Sequence, residues 1–137
     1  MTTVTFILGL CGSGKTWLAD RIVADVKFDE GFLDNKDQQH DALIKALHAG
    51  QDCVVVEIQY CREDDRKKIV EKIRNIVPNV YINWLCIEND LHRANKNCYE
   101  RTNKGDPTKH VNINRQLSSV YKYPEGSVVV RMWTKES

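Results

Sequence analysis

The stretch Val4-Thr5-Phe6-Ile7-Leu8-Gly9-Leu10-Cys11-Gly12-Ser13-Gly14-Lys15-Thr16 decides the fold. Its first five residues form an apolar run that reads as a buried strand. Gly9 to Thr16 then match G-x-x-x-x-G-K-[ST], the loop that cradles phosphate groups. Trp17 to Val26 reads as a helix. Strand, glycine loop and helix in that order are the context this motif requires. Gly9, Gly12 and Gly14 are expected to let the backbone turn with positive φ, which a side chain opposes. The exposed N–H groups then surround phosphate oxygens, and the helix N-terminus adds partial positive charge. Lys15 is placed to reach the β- and γ-phosphates, and the Thr16 hydroxyl to ligate magnesium. The expected nucleotide-binding set is Gly9, Cys11, Gly12, Ser13, Gly14, Lys15, Thr16 and Trp17. The implied ligands are a nucleoside triphosphate and Mg2+.

A chain of 137 residues with 42 % hydrophobic and 28 % charged residues fits one globular domain, with room for a mobile insertion. The net charge of +1 gives no bulk attraction to duplex DNA or to a membrane, though a local basic groove stays open. Val4 to Cys11 is not a secretory signal core, because no basic residue precedes it and a lysine-bearing loop follows. No apolar run reaches membrane-spanning length. The five cysteines are odd in number and lack Cys-x-x-Cys spacing, which argues against a disulfide framework and a zinc site. A reduced, cytoplasmic compartment is expected. Cys53 and Cys86 fall in strands and read as small buried hydrophobes. Cys11 lies inside the anion-binding loop, where it is either a stabilised, reactive thiolate or a small residue that fits.

Strands and helices alternate along the rest of the chain. Lys27 to Asp34 is a weak strand ending in acidic residues. A helix is predicted from about Lys36 to Ala49, with Leu43, Ile44 and Leu47 on one face and Gly50 as its stop. Cys53-Val54-Val55-Val56-Glu57-Ile58 has the continuous β-branched character of a strand covered on both faces. Arg62 to Val77 is amphipathic, with Ile69, Ile73, Ile76 and Val77 as its stripe and Pro78 beyond its end. Val80 to Cys86 is the fourth strand candidate. A helix from Glu88 to about Arg101, a loop to Lys109, a helix from Val111 to Tyr121 and a last strand from Val128 to Trp133 complete the pattern. Ile113, Leu117 and Val120 mark the apolar face of that last helix. Five strands and five helices imply a three-layer α/β fold, a five-stranded parallel sheet with helices on both faces. Ligands then bind at the carboxyl ends of the strands, where the loop, Asp34 and residues 57 to 62 gather.

With these parts in order, the chain resembles the small P-loop kinases. That group includes nucleotide, shikimate and gluconate kinases and the polynucleotide 5′-hydroxyl kinase domain. The resemblance covers nearly the whole chain, although only the loop is highly specific. It implies a P-loop NTPase fold and one kinase domain over residues 1–137, with an arginine-bearing lid at about 91–115. The implied activity is transfer of the γ-phosphate of ATP to a hydroxyl or phosphate acceptor: a small molecule, a nucleotide or a nucleic-acid 5′ end. By resemblance, Asp34 takes the place of the acidic residue near the acceptor hydroxyl, with Asp37 in reserve. Glu57 stands where the family supports magnesium, usually with Asp. Arg62 and Arg66 stand where the family grips its acceptor, and Arg93 and Arg101 where its lid closes. Asn114-Arg115-Gln116 to Tyr123-Pro124 is similar to the helix and turn that follow the lid.

The physics agrees with such roles, because phosphoryl transfer needs positioning and charge compensation more than covalent chemistry. Plainer roles compete at several positions. Asp34 is also a good helix cap before Lys36, and the arginines also suit solvated helix faces. His40, His48, His92 and His110 show no metal or triad spacing. Asn103-Lys104-Gly105-Asp106 matches Asn-Lys-x-Asp, the guanine-reading motif of GTPases. It follows polar, helical residues rather than a buried strand, and no Asp-x-x-Gly follows any strand. It therefore reads as a chance match. A GTPase and a non-enzymatic nucleotide switch remain the alternatives, and the short interval between the second and third strands looks more like the polynucleotide-kinase branch than like a nucleotide kinase with a full acceptor domain.

Overall fold

The apolar runs pair into one parallel sheet in the computed structural model, which describes residues 1–29, 36–101 and 105–135. The strands are β1 (Thr3–Leu8), β2 (Val26–Phe28), β3 (Cys53–Val56), β4 (Tyr81–Ile87) and β5 (Val128–Val130), in the order β2-β3-β1-β4-β5. Between them lie α1 (Lys15–Ala19), α2 (Lys36–His48), α3 (Glu63–Ile76), α4 (Leu91–Glu100) and α5 (Thr108–Ser118). The central strand β1 pairs with β3 from Val4↔Cys53 to Ile7↔Val56 and with β4 from Thr3↔Tyr81 to Leu8↔Cys86. α1 packs on β1 and β3, and α2 packs on α3. Right-handed crossovers put α2 and α3 on the face opposite α1. The chain is thus a five-stranded parallel α/β fold, as the alternation of elements requires.

The core follows from that arrangement. Val4, Phe6, Ile7 and Leu8 are fully buried, as expected for a strand flanked on both edges. Phe6 stacks on Trp84 with centroids 4.7 Å apart and meets Tyr60 edge-on at 5.0 Å. Leu43, Ile44 and Leu47 of α2 are buried at helical spacing, as are Ile69 and Ile73 of α3. Ile76 is not part of that stripe, being 54 % exposed in the last residue of α3. In α5 the buried face is Val111, Asn114 and Leu117, while Val120 lies outside the helix and is exposed.

Several boundaries differ from the sequence pattern, α5 among them, which runs Thr108–Ser118 instead of Val111 to Tyr121. The first helix stops at Ala19 instead of running to Val26, because residues 26–28 are drawn into the sheet against β3. Asp25 and Asp52 fasten that entry: Asp25 N–H donates to the Asp52 carbonyl at 2.9 Å, and Asp52 N–H to Asp25 Oδ2 at 2.8 Å. β3 ends at Val56, and Ile58–Cys61 coils into a 3-10 turn. β5 ends at Val130, and the chain then leaves the sheet for the phosphate loop, where Trp133 N–H donates to the Ser13 carbonyl at 3.1 Å. Among the described residues, no helix is long and apolar enough to cross a membrane. All five cysteines are buried, and no disulfide joins them. Burial pushes the Cys61 thiol up to about 12 and that of Cys53 up to about 11.

Candidate functional site

The loop between β1 and α1 adopts the geometry its glycines allow. Gly12 has φ +82 and Gly14 has φ +97, both in the left-handed region. Gly9 does not enter that region, contrary to expectation. Its requirement is space, since a Cβ there would strike Ser13 Oγ and approach Ile87 at 3.3 Å. At Gly12 a Cβ would lie 2.8 Å from the Ala94 carbonyl and 2.8 Å from Cys98 Sγ, and at Gly14 it would collide with Trp133. Residues from the far half of the chain therefore press directly on the loop.

A cavity of about 560 Å³ opens at this loop, at the carboxyl end of the sheet. Lys15, Thr16, Trp17, Asp29, Arg101 and Trp133 line it, together with Cys11, Gly12, Gly14, Asn97 and His110. Lys15 is 6 % exposed, and its Nζ donates to the Leu10 carbonyl at 2.9 Å. That bond holds the ammonium under the loop. The Thr16 hydroxyl lies 3.4 Å from Asp29 Oδ1, and Asp29 follows the last residue of β2. Trp17 lies under the Arg21 guanidinium, 3.7 Å from the ring centroid. Arg101 Nη2 donates to Cys98 Sγ at 3.3 Å, while its buried Nε has no partner among the described residues. A buried guanidinium N–H in that state, beside an anion-binding loop, suits an incoming phosphate oxygen.

The other expected residues divide. Glu57 stands just beyond β3, half-buried, and accepts from Gln39 Nε2 at 3.3 Å. Arg66 is buried and donates to the Tyr60 and Cys61 carbonyls at 2.8 and 3.1 Å, so its charge secures the 3-10 turn and does not line the cavity. Arg62 is exposed at the start of α3. Arg93 sits in the first turn of α4, where its N–H is capped by Asp90 Oδ1 at 3.0 Å, and it does not line the cavity. Asp34 lies outside the described residues, as do Asn103 and Lys104 of the guanine-like motif. Asp37 is the first-turn acid of α2, 3.6 Å from Lys72 Nζ.

Five residues take places at the site that sequence reasoning did not assign: Asp29, Asn97, His110, Asn114 and Trp133. Asp29 carried a signal, as the first acid within the weak strand read over Lys27 to Asp34. The asparagines carried a subtler one, as polar residues at the buried spacing of their helices. Magnesium suits the Thr16 hydroxyl, because it takes hard oxygen ligands beside phosphate oxygens. Thr16 Oγ1 and the Asp29 carboxylate are adjacent in the cavity, whereas Glu57, just beyond β3, does not line it.

The chain shares its five-stranded parallel α/β fold with kinases of known structure. It superposes on the crystal structure of an unliganded sugar kinase from a Janibacter species with TM-score 0.65, covering 96 % of this chain and 86 % of that one at 13 % identity. A gluconokinase from Sinorhizobium meliloti matches with TM-score 0.59 over 97 % of this chain and 83 % of that one, at 15 % identity. Identity this low speaks for the fold alone. No protein-family model matches the sequence, and no curated protein matches it.

Proposed function

We propose that this protein is an ATP- and magnesium-dependent phosphotransferase that passes the γ-phosphate to a hydroxyl of a small polar acceptor. The observation that carries this reading is the convergence of Lys15, the Thr16–Asp29 pair and Arg101 on one cavity at the phosphate loop. The loop amides and Lys15 hold the phosphates. Thr16 holds the magnesium, with Glu57 behind it. When bound, the metal neutralises charge on the phosphate oxygens.

Asp29 takes the role that family resemblance gives to Asp34. It directly follows a strand, so its backbone is anchored by the sheet. From there it orients the acceptor hydroxyl and accepts its proton. Arg101 brings compensating charge to the transferred group, and the α4–α5 segment at about 91–115 acts as the lid that excludes water. Trp17, His110 and Trp133 give the same cavity flat side chains suited to a nucleobase. Two proteins of similar fold are described as a sugar kinase and a gluconokinase, which makes a sugar or sugar-acid hydroxyl the first acceptor class to try.

The test is ADP release from Mg-ATP across a panel of sugars, sugar acids, nucleosides and 5′-hydroxyl oligonucleotides. The reading requires stimulation by one acceptor class and its loss in Lys15→Ala. Slow, acceptor-independent hydrolysis in both proteins contradicts it.

A further inference from the structure

Three consecutive carbonyls of the phosphate loop are captured from outside the loop. Asn114 Nδ2 donates to the Cys11 carbonyl at 3.0 Å, Asn97 Nδ2 to the Gly12 carbonyl at 2.9 Å, and Trp133 N–H to the Ser13 carbonyl at 3.1 Å. Asn114 also accepts from Cys11 N–H through Oδ1 at 2.7 Å, so it embraces both backbone groups of that residue. Asn97 binds a second carbonyl, that of Trp133, at 2.9 Å. Neither amide is on the surface: Asn114 is 0 % and Asn97 3 % exposed. Each occupies a buried position of its helix, beside Val111 and Leu117 on α5 and beside Ala94 and Cys98 on α4. A polar side chain in such a place costs stability unless bonded, and these are bonded to the loop.

The peptide plane converts this capture into a consequence for phosphate. No peptide bond in the described chain is cis. In a trans peptide the carbonyl of one residue and the N–H of the next point opposite ways. Asn114 holds the Cys11 carbonyl, and the Ser13 carbonyl is held by Trp133 N–H, whose residue Asn97 fixes through its carbonyl. This turns the N–H groups of Gly12 and Gly14 away from α5 and the segment after β5, while the Ser13 N–H donates to the Leu10 carbonyl at 3.1 Å. Both glycines line the cavity. We infer that Asn114 and Asn97 are positioning residues, which set the anion-binding amides of the loop from the two helices of the lid side. They act through the backbone of the loop. Because α4 ends at the residue before Arg101, lid and loop share one frame, and a shift of either helix alters the phosphate site. This inference rests on the phosphate-loop reading above and adds the residues that shape it.

The test uses Mg-tripolyphosphate as probe, titrated calorimetrically into the full chain. Asn114→Asp keeps the shape and the acceptor for Cys11 N–H, but turns a carboxylate oxygen toward the Cys11 carbonyl. Asn97→Ala removes the donor to both the Gly12 and the Trp133 carbonyls. Each lost bond is expected to weaken tripolyphosphate binding by about tenfold, with the melting midpoint lowered by no more than about 5 °C. In amide NMR spectra, the ligand-induced shifts of Gly12 and Gly14 should shrink in both variants, while Gly50 and Gly126 keep their positions. Folded variants that bind tripolyphosphate as the parent does, with unchanged Gly12 and Gly14 shifts, overturn the inference. Failure of both variants to fold also overturns it, since the amides then hold the fold and not the loop alone. If the parent protein itself does not bind tripolyphosphate, the phosphate reading of the loop fails first, and the parent titration separates the two cases.

Discussion

The Thr16 hydroxyl lies 3.4 and 3.5 Å from the two carboxylate oxygens of Asp29. One residue belongs to the helix after the phosphate loop and the other follows the next strand. Their meeting joins the expected metal ligand to the carboxylate that the chemistry needs. Asp29→Asn keeps the side chain's shape and removes its charge and basicity. Turnover should fall by about 10²- to 10⁴-fold, the usual worth of a positioned base, with tripolyphosphate affinity changed far less. Steady-state kinetics beside calorimetry checks this. Asp34→Asn should have the smaller effect on turnover.

Arg101 and Arg93 were equivalent by sequence and are not equivalent in space. Of the two, Arg101 alone lines the cavity, with a buried Nε that has no partner among the described residues. Arg101→Ala should lower turnover by about 10²-fold through loss of compensating charge. Arg93→Ala should leave turnover within about threefold of the parent, since it removes no charge from the cavity lining. Equal losses would remove the distinction between the two.

Gly14→Ala combines two faults, a left-handed φ of +97 and a collision with Trp133. Strained φ alone costs about 1–3 kcal/mol. Gly50 has φ +82 but no atom within 4 Å of an added Cβ, so Gly50→Ala reports strain alone. Chemical denaturation should show Gly14→Ala as the more destabilised of the two, and only Gly14→Ala should lose nucleotide binding.

Stability should decline on the alkaline side. The Cys53 and Cys61 thiols are raised from 9.0 to about 11 and about 12, mainly by burial. Folding therefore favours their protonated forms. That contribution is fully present below pH 9 and is lost as pH climbs through the raised values, because the unfolded chain releases protons first. Denaturant midpoints should hold up to about pH 9 and fall from there toward pH 11. Cys53→Ala and Cys61→Ala together should flatten the fall.

Features with a local cause were legible in the sequence, and features with a distant cause were not. Gly9 to Thr16 could be read because the turn and the close packing demand glycine at fixed places. Val54, Val55 and Val56 read as a covered strand, and they are covered. Asp29 was obscured by the three-residue strand before it, whose identity depends on pairing with β3 and not on its own composition. Arg66 read as an acceptor-gripping arginine or a solvated cation, and only tertiary structure puts its guanidinium on two carbonyls. Asn114 and Asn97 lie 103 and 85 residues from the loop groups they bind, a separation that no local pattern encodes.

The most direct test of the central claim is a single-turnover experiment with γ-labelled ATP, magnesium and a panel of sugars and sugar acids. The account predicts label on an acceptor hydroxyl in the parent protein, none in Lys15→Ala, and a severe slowing in Asp29→Asn. Nucleotide bound with no label transferred to any acceptor would contradict it.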